Sequence, residues 1–245
     1  MTAFAAPAAS RVIAVTGASR GIGRACAIAL AAPGVSLVLM ARNAEELRET
    51  AQLCEARGAI AHRFGFDLSK IDEIETRIQE IKAQCGCIDV LVNNAGVWIE
   101  EPFSTGDMSA WDFALDVNLK ATMHLTRHAL EGMPEGGAIV FIASTASRKV
   151  YANGTNYCAA KHGLMGFAGA LFEDVRERGI KVSSVLPGVV NTDMHASDPK
   201  LEKPKMIQPE DVAAAVAFIV HSPANVCPTE IALQPQKNPK TRSPA

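Results

Sequence analysis

Residues 11–30 read RVIAVTGASRGIGRACAIAL. The run RVIAVTG (11–17) is short, apolar and β-branched, and it ends in glycine, as a buried strand does where it runs into a tight turn. From Ile22 the apolar residues fall at helical spacing. The turn between them, TGASRGIG (16–23), places glycines at 17, 21 and 23, a GxxxGxG spacing rather than the GxGxxG of the standard dinucleotide fingerprint. The physics is shared. Glycines let the backbone approach a ligand closely, and the first N–H groups of a helix lack intrahelical partners and favour a pyrophosphate. A plain glycine-rich turn is the alternative, but the strand before and the helix after are what a phosphate cradle requires. Gly17, Ser19, Arg20, Gly21, Ile22 and Gly23 are the candidate cradle residues.

The same alternation runs outward along the chain. VSLVLMA (35–41) reads as a buried strand, and NAEELRETAQLCEARG as an amphipathic helix closed by Gly58. Further strands are expected at AIAHRFGF, IDVLVNNAG, GAIVFIAS, IKVSSVLPG and EIALQP. They are separated by SKIDEIETRIQEIKAQCG, with Ser69 as a plausible N-cap, by long helical regions at 108–131 and 155–178, and by a helix starting at Pro209. Continuous apolar strands alternating with helices predict an α/β fold: one doubly wound Rossmann domain with a parallel seven-stranded sheet covered on both faces. Its expected limits are 11–233, between a flexible lead (1–10) and a loose, Pro- and Lys-rich tail (234–245).

Composition narrows the function. The chain has 245 residues, 48% hydrophobic and 20% charged, with a formal net charge of −2 and no block of like charges. A nucleic-acid surface and a polybasic membrane patch are not expected. Apolar runs break well before 18 residues, so no transmembrane helix is expected, and the N-terminus lacks the features of a signal peptide. The six cysteines are scattered without a CxxC pair, which suits reduced thiols in a cytoplasmic protein. His124 and His128 stand four apart on one predicted helix without a third ligand, so no metal site is expected.

Two places carry chemistry. After the second strand, where dinucleotide folds commonly hold a ribose 2′-hydroxyl with a carboxylate, the chain has Ala41 and then Arg42. A guanidinium there, with Arg20 nearby, suits a 2′-phosphate and hence NADP(H); two solvent-facing arginines are the bland alternative. The other place is NYCAAKHGL (156–164), where Tyr157 and Lys161 share one helix face. A phenol of pKa ~10 needs ~4 kcal/mol of differential stabilisation to titrate near pH 7, which a neighbouring cation helps supply. So tuned, a tyrosine exchanges a proton with a carbonyl or alcohol oxygen. An ordinary half-buried tyrosine has the same spacing. Ser144 ends a predicted strand, where open α/β sheets bind ligands, and Asn118 lies mid-helix, where its propensity is poor.

TGASRGIG, NNAG (93–96), Asn118, Ser144 thirteen residues before Tyr157, Lys161 four after it, and PGVVNTDM after the sixth strand together resemble the short-chain dehydrogenase/reductase family, in order and in spacing, over about residues 11–233. The resemblance implies an NADP(H)-dependent oxidoreductase interconverting a carbonyl and a secondary alcohol. Tyr157 would be the acid/base, Lys161 its pKa partner and ribose ligand, Ser144 the orienter of the substrate carbonyl, and Asn118 the holder of a relay water. Asn93, Ala95 and Gly96 would line the adenosine side, with Asp67 and Leu68 at the adenine. Pro187, Gly188, Val190 and Thr192 would pack on the nicotinamide half. Family members are commonly homodimers or homotetramers built on the two long helical regions.

Two departures bear on the substrate. PTEIALQPQ replaces the glycine-rich last strand of acyl-chain reductases, and points toward carbonyl- and hydroxyacid-reducing branches. The segment DMHASDPKLEKPKMI (193–207), the substrate lid in this resemblance, is short and charged, and suits an open pocket for a small or polar substrate. Trp98 is read as packing rather than as a substrate platform, though it falls near the cleft, and Trp111 as a helix anchor. A non-catalytic NADP(H)-binding protein on the same fold is the rival reading; such proteins usually lose the tyrosine or the lysine, and both are present here.

Overall fold

A computed structural model describes residues 11–196 and 198–240. The expected lead at 1–10 and the last five residues of the tail lie outside the described residues. The strands are β1 (Arg11–Thr16), β2 (Val35–Ala41), β3 (Ile60–Gly65), β4 (Val90–Asn93), β5 (Ala138–Ile142), β6 (Lys181–Pro187) and β7 (Glu230–Leu233). The helices are α1 (Gly21–Leu30), α2 (Ala44–Glu55), α3 (Ile74–Cys85), α4 (Met108–Leu115), α5 (Ala121–Leu130), α6 (Thr155–Val175) and α7 (Pro209–His221). All seven strands pair in parallel, in the order β3-β2-β1-β4-β5-β6-β7. The order reverses between β1 and β4, and ligands of open α/β sheets bind beyond the strand ends at such a reversal.

Successive strand residues face opposite sides, so the sheet divides the core in two. On one side Val15, Leu37, Leu39, Val92, Val140 and Val185 pack against α1, α2 and α7. On the other Ala14, Val38, Leu91, Ile139, Phe141 and Leu186 pack against α3, α5 and α6. This is the double covering that the continuous apolar strands predict. Gly58, with φ at +87°, turns the chain out of α2, and Pro209 opens α7 as expected.

Two local expectations are corrected. Ser69 does not cap α3: its N–H and hydroxyl both donate to Asp67 Oδ1, at 3.0 and 2.9 Å, and the α-helix begins only at Ile74, after a short 3-10 turn. The helical region expected at 108–131 is present, and within it a π turn over Asp116–Lys120 joins α4 to α5, with Ala121 N–H bonded to Asp116 O five residues back. The expected loose tail is tied down within its described part. Glu202 N–H donates to Pro239 O at 2.8 Å, Leu201 and Lys240 form an antiparallel bridge, and Pro239 is buried.

The small residues of α6 divide by face. Ala168 is buried against its own sheet, and a Cβ on Gly163 would lie 3.0 Å from Leu119 Cδ2, so these two serve packing within the chain. Gly166, Gly169 and Ala170 are exposed.

Candidate active site

The strand ends open into one cleft of about 1410 Å³. The glycine loop forms one end. Gly17 and Gly21 hold φ at +63° and +53°, which glycine adopts without steric cost. A Cβ on Gly21 would sit 3.2 Å from Thr192 Cγ2, so the cradle is filled on that side by the segment after β6. Gly23 does a different job. A Cβ there would come within 2.1 Å of Gly17 O, so this glycine lets α1 close onto its own loop, and it does not line the cleft.

The loop is fastened to β4 by two residues the motif reading passed over. Thr16 Oγ1 accepts from the N–H groups of Asn94 and Ala95, both at 2.9 Å. Asn94 Nδ2 donates to Thr16 O at 2.9 Å and Gly17 O at 3.3 Å. Both residues sit inside the quoted motifs, as the first position of TGASRGIG and the second of NNAG, and that was the signal available. Asn93 behaves otherwise. Its side chain donates to Thr126 Oγ1 of α5 at 3.1 Å, and it is the one residue of NNAG that does not line the cleft.

Ser19, Arg20, Ile22, Ala41, Arg42, Asp67, Leu68, Ala95 and Gly96 line the cleft together, with no carboxylate at positions 41–43. Asp67 carries a carboxyl held below its usual range: burial pushes it up, but hydrogen bonds from Ser69 and the charges of Arg42 and Lys70 together bring it down. Arg20 is not directed solely at a ligand; its Nη1 pairs with Asp193 Oδ2 at 2.5 Å. Pro187, Gly188, Val190 and Thr192 close the far wall, where Gly188 N–H donates to Leu233 O at 2.9 Å. A glycine cradle at a helix N-terminus, with a cation beyond β2, fits a phosphorylated dinucleotide.

The reacting end gathers Ser144, Tyr157, Lys161 and Asn118 on one wall. Lys161 is buried, donates to Ile142 O at 2.9 Å, and lies 5.6 Å from the Tyr157 ring centroid. Burial lowers the Lys161 ammonium to about 8 and pushes the Tyr157 phenol up to about 12, while a hydrogen bond with Ser144 pulls the phenol the other way. Desolvation penalises both charged forms, and the ammonium points to a backbone carbonyl. Ser144 Oγ accepts from Ala146 N–H at 3.1 Å, which leaves its proton free to donate.

Asn118 explains its unfavourable position. It sits in the π turn, and its side chain bonds both Val97 N–H (3.0 Å) and Val97 O (2.9 Å). The turn therefore locks the strand β4 exit onto the helix that carries Asn118. Trp98 packs as expected, against Ala146, Tyr157 and Cys158, its ring 4.7 Å from that of Tyr157 and edge-on to it, and it also lines the cleft. No group of three or more His, Cys, Asp or Glu residues is placed to hold a metal among the described residues.

A family model described as short chain dehydrogenase matches residues 11–203. Carbonyl reductase family member 4 of Xenopus laevis is 36% identical over 222 residues, 87% of this chain and 92% of that protein. The sepiapterin reductase of Chlorobaculum tepidum is 32% identical over 233 residues, 91% of this chain and 96% of that one. A solved metagenomic short-chain oxidoreductase in complex with NADP is 34% identical, with a TM-score of 0.81 over 94% of this chain and 99% of that one. The chain belongs to the short-chain dehydrogenase family of oxidoreductases.

Proposed function

We propose that this chain is an NADP(H)-dependent oxidoreductase that interconverts a carbonyl and a secondary alcohol, with Tyr157 as acid/base. The observation that carries the reading is the convergence of Ser144, Tyr157 and Lys161 on one wall of a cleft whose other end is a glycine cradle followed by Arg42 rather than a carboxylate. The bound dinucleotide supplies or takes the hydride. Ser144 and Tyr157, on one wall of the cleft, aim two hydroxyls at one substrate oxygen. A phenol pushed up to about 12 is protonated throughout the neutral range, so it is poised to donate its proton as the carbonyl is reduced.

Lys161 holds a charge behind the phenol, where it offsets negative charge developing on Tyr157 after the proton leaves. The amide of Asn118 makes one bond through its oxygen and one through its nitrogen to Val97, which holds the residue at the cleft wall where a relay water would sit. The relative and the structural neighbour that are named for carbonyl reduction and solved with NADP support both halves of the reading. We place the protein in the cytoplasm, as a homodimer or homotetramer contacting through the α4–α6 face. Among the described residues no helix is long and apolar enough to cross a membrane.

The test is NADPH oxidation across a panel of carbonyl compounds. Tyr157→Phe is expected to retain NADPH binding and to lose at least ~10²-fold in turnover, the scale of general acid–base catalysis. Near-normal turnover by that variant ends the assignment. NADPH binding with no turnover of any carbonyl by the unmodified protein would favour a regulatory NADP(H)-binding role instead.

A further inference from the structure

We propose that the substrate is a planar, conjugated carbonyl compound, an aryl ketone or aryl diketone, whose ring lies against Trp98, with Tyr151 as the second wall. This rests on the reading of Tyr157 as the acid/base. The chain has two Trp and two Tyr residues, and three of those four, Trp98, Tyr151 and Tyr157, line the same cleft. Trp98 and Tyr151 thus stand in the same cleft as the reacting hydroxyl of Tyr157, two aromatic surfaces against which a flat ligand can lie.

Both walls are held in place. The Trp98 ring stands 77° from the plane of Tyr157, and a Cβ added to Gly154 would fall 3.3 Å from its Cη2. The indole is only partly buried, so one surface remains for a ligand. Tyr151 is 45% exposed, and its hydroxyl shares a hydrogen bond of 3.1 Å with Thr145 Oγ1, next to Ser144. A turn fixes its backbone, with Gly154 N–H donating to Tyr151 O at 3.3 Å and Asn153 at φ +61°, the one non-glycine residue with positive φ among the described residues. The two loops that carry these rings are joined by Glu101 N–H donating to Asn153 O at 3.0 Å. Preformed aromatic surfaces with little left to order favour a flat, rigid ligand over a flexible aliphatic one of the same size. Phe113 and Met194, also lining the cleft, extend the apolar surface.

The experiment compares NADPH-dependent reduction of 1-phenyl-1,2-propanedione with that of 2,3-hexanedione, read as the ratio of their kcat/KM values. The unmodified protein is expected to favour the aryl compound by roughly tenfold or more. Trp98→Leu is expected to lower that ratio about tenfold, Tyr151→Leu to lower it less, and Trp98→Phe to restore most of it. Trp111→Phe, a buried residue outside the cleft, serves as the control and keeps the ratio. A ratio near one in the unmodified protein, or one that Trp98→Leu leaves unchanged, overturns the proposal. If neither diketone is reduced, the acid/base reading fails on this pair, and equilibrium dialysis of 1-phenyl-1,2-propanedione with NADP present decides the aromatic wall. Saturable binding that Trp98→Leu abolishes upholds it, and no binding overturns it.

Discussion

Arg20 Nη1 and Asp193 Oδ2 meet at 2.5 Å across the mouth of the cleft, joining the glycine loop to the segment after β6 from 173 residues away in the chain. Both side chains are well exposed, so the pair adds little to stability, and its importance is positional. Arg20 is shared with Asp193, which leaves Arg42 as the main cation for a 2′-phosphate. Arg42→Ala is therefore expected to weaken NADPH binding by roughly tenfold or more while leaving NADH nearly unaffected. Arg20→Ala should change the NADPH-to-NADH ratio less, and Asp193→Asn, which frees Arg20, should increase it. Fluorescence titration of both nucleotides checks this, and a larger loss of selectivity in Arg20→Ala than in Arg42→Ala would contradict it.

Burying the Lys161 ammonium costs stability. Its ammonium is lowered from 10.5 to about 8 by burial. Below about pH 8 both folded and unfolded chains carry the proton, and the full cost of burying the charge is present. Between about 8 and 10.5 only the unfolded chain carries it, so this group's contribution to stability improves as pH rises through that window. Lys161→Met is expected to raise the unfolding free energy at pH 7, by up to about 3 kcal/mol before the loss of the bond to Ile142 O is deducted. The advantage should shrink steadily toward pH 10.5. Thermal melts of both proteins over pH 6–10 test it, and a gap that does not narrow would be evidence against a buried cation.

Two glycines make a contrasting pair. Gly23→Ala forces a methyl group against Gly17 O and should destabilise by about 1–3 kcal/mol or more, with loss of nucleotide affinity. Gly166, exposed in α6 with no atom within 4 Å of an added Cβ, should tolerate Ala and gain about 0.5–1 kcal/mol in the isolated chain. Comparable unfolding midpoints for the two variants would refute the distinction.

Assembly through α6 is probed on its exposed face rather than at Ala168, which is buried within its own chain. Gly169 is exposed with open space around it, and glutamate is a better helix former than glycine. Gly169→Glu should leave the folded chain intact and shift light scattering from the dimer or tetramer mass toward a single chain. An unmodified protein that scatters as a single chain at micromolar concentration would exclude the assembly.

The alternation of strand and helix and the place of the glycine cradle were legible in the chain because each depends on local pattern, whereas Ser144, Tyr157 and Lys161 were grouped by the order and spacing of motifs along most of the chain. Continuous apolar runs of strand length, apolar residues at helical spacing, and glycines at a strand-to-helix turn all act within a few residues. What the tertiary structure decided lies where a side chain chooses between partners far apart in sequence. Asn93 and Asn94 are adjacent and chemically identical, yet one bonds Thr126 of α5 and the other holds the glycine loop, because neighbouring strand residues face opposite sides of the sheet. Ser69 reads as a helix cap until Asp67 is seen to take both its hydrogens. Asn118 reads as an unfavourable helix residue until the π turn and Val97 are in place. The pKa directions of Tyr157 and Lys161 followed the same rule: four-residue spacing put them on one helix, but burial beneath the packed strand ends, which no local spacing encodes, pushed the phenol up and the ammonium down.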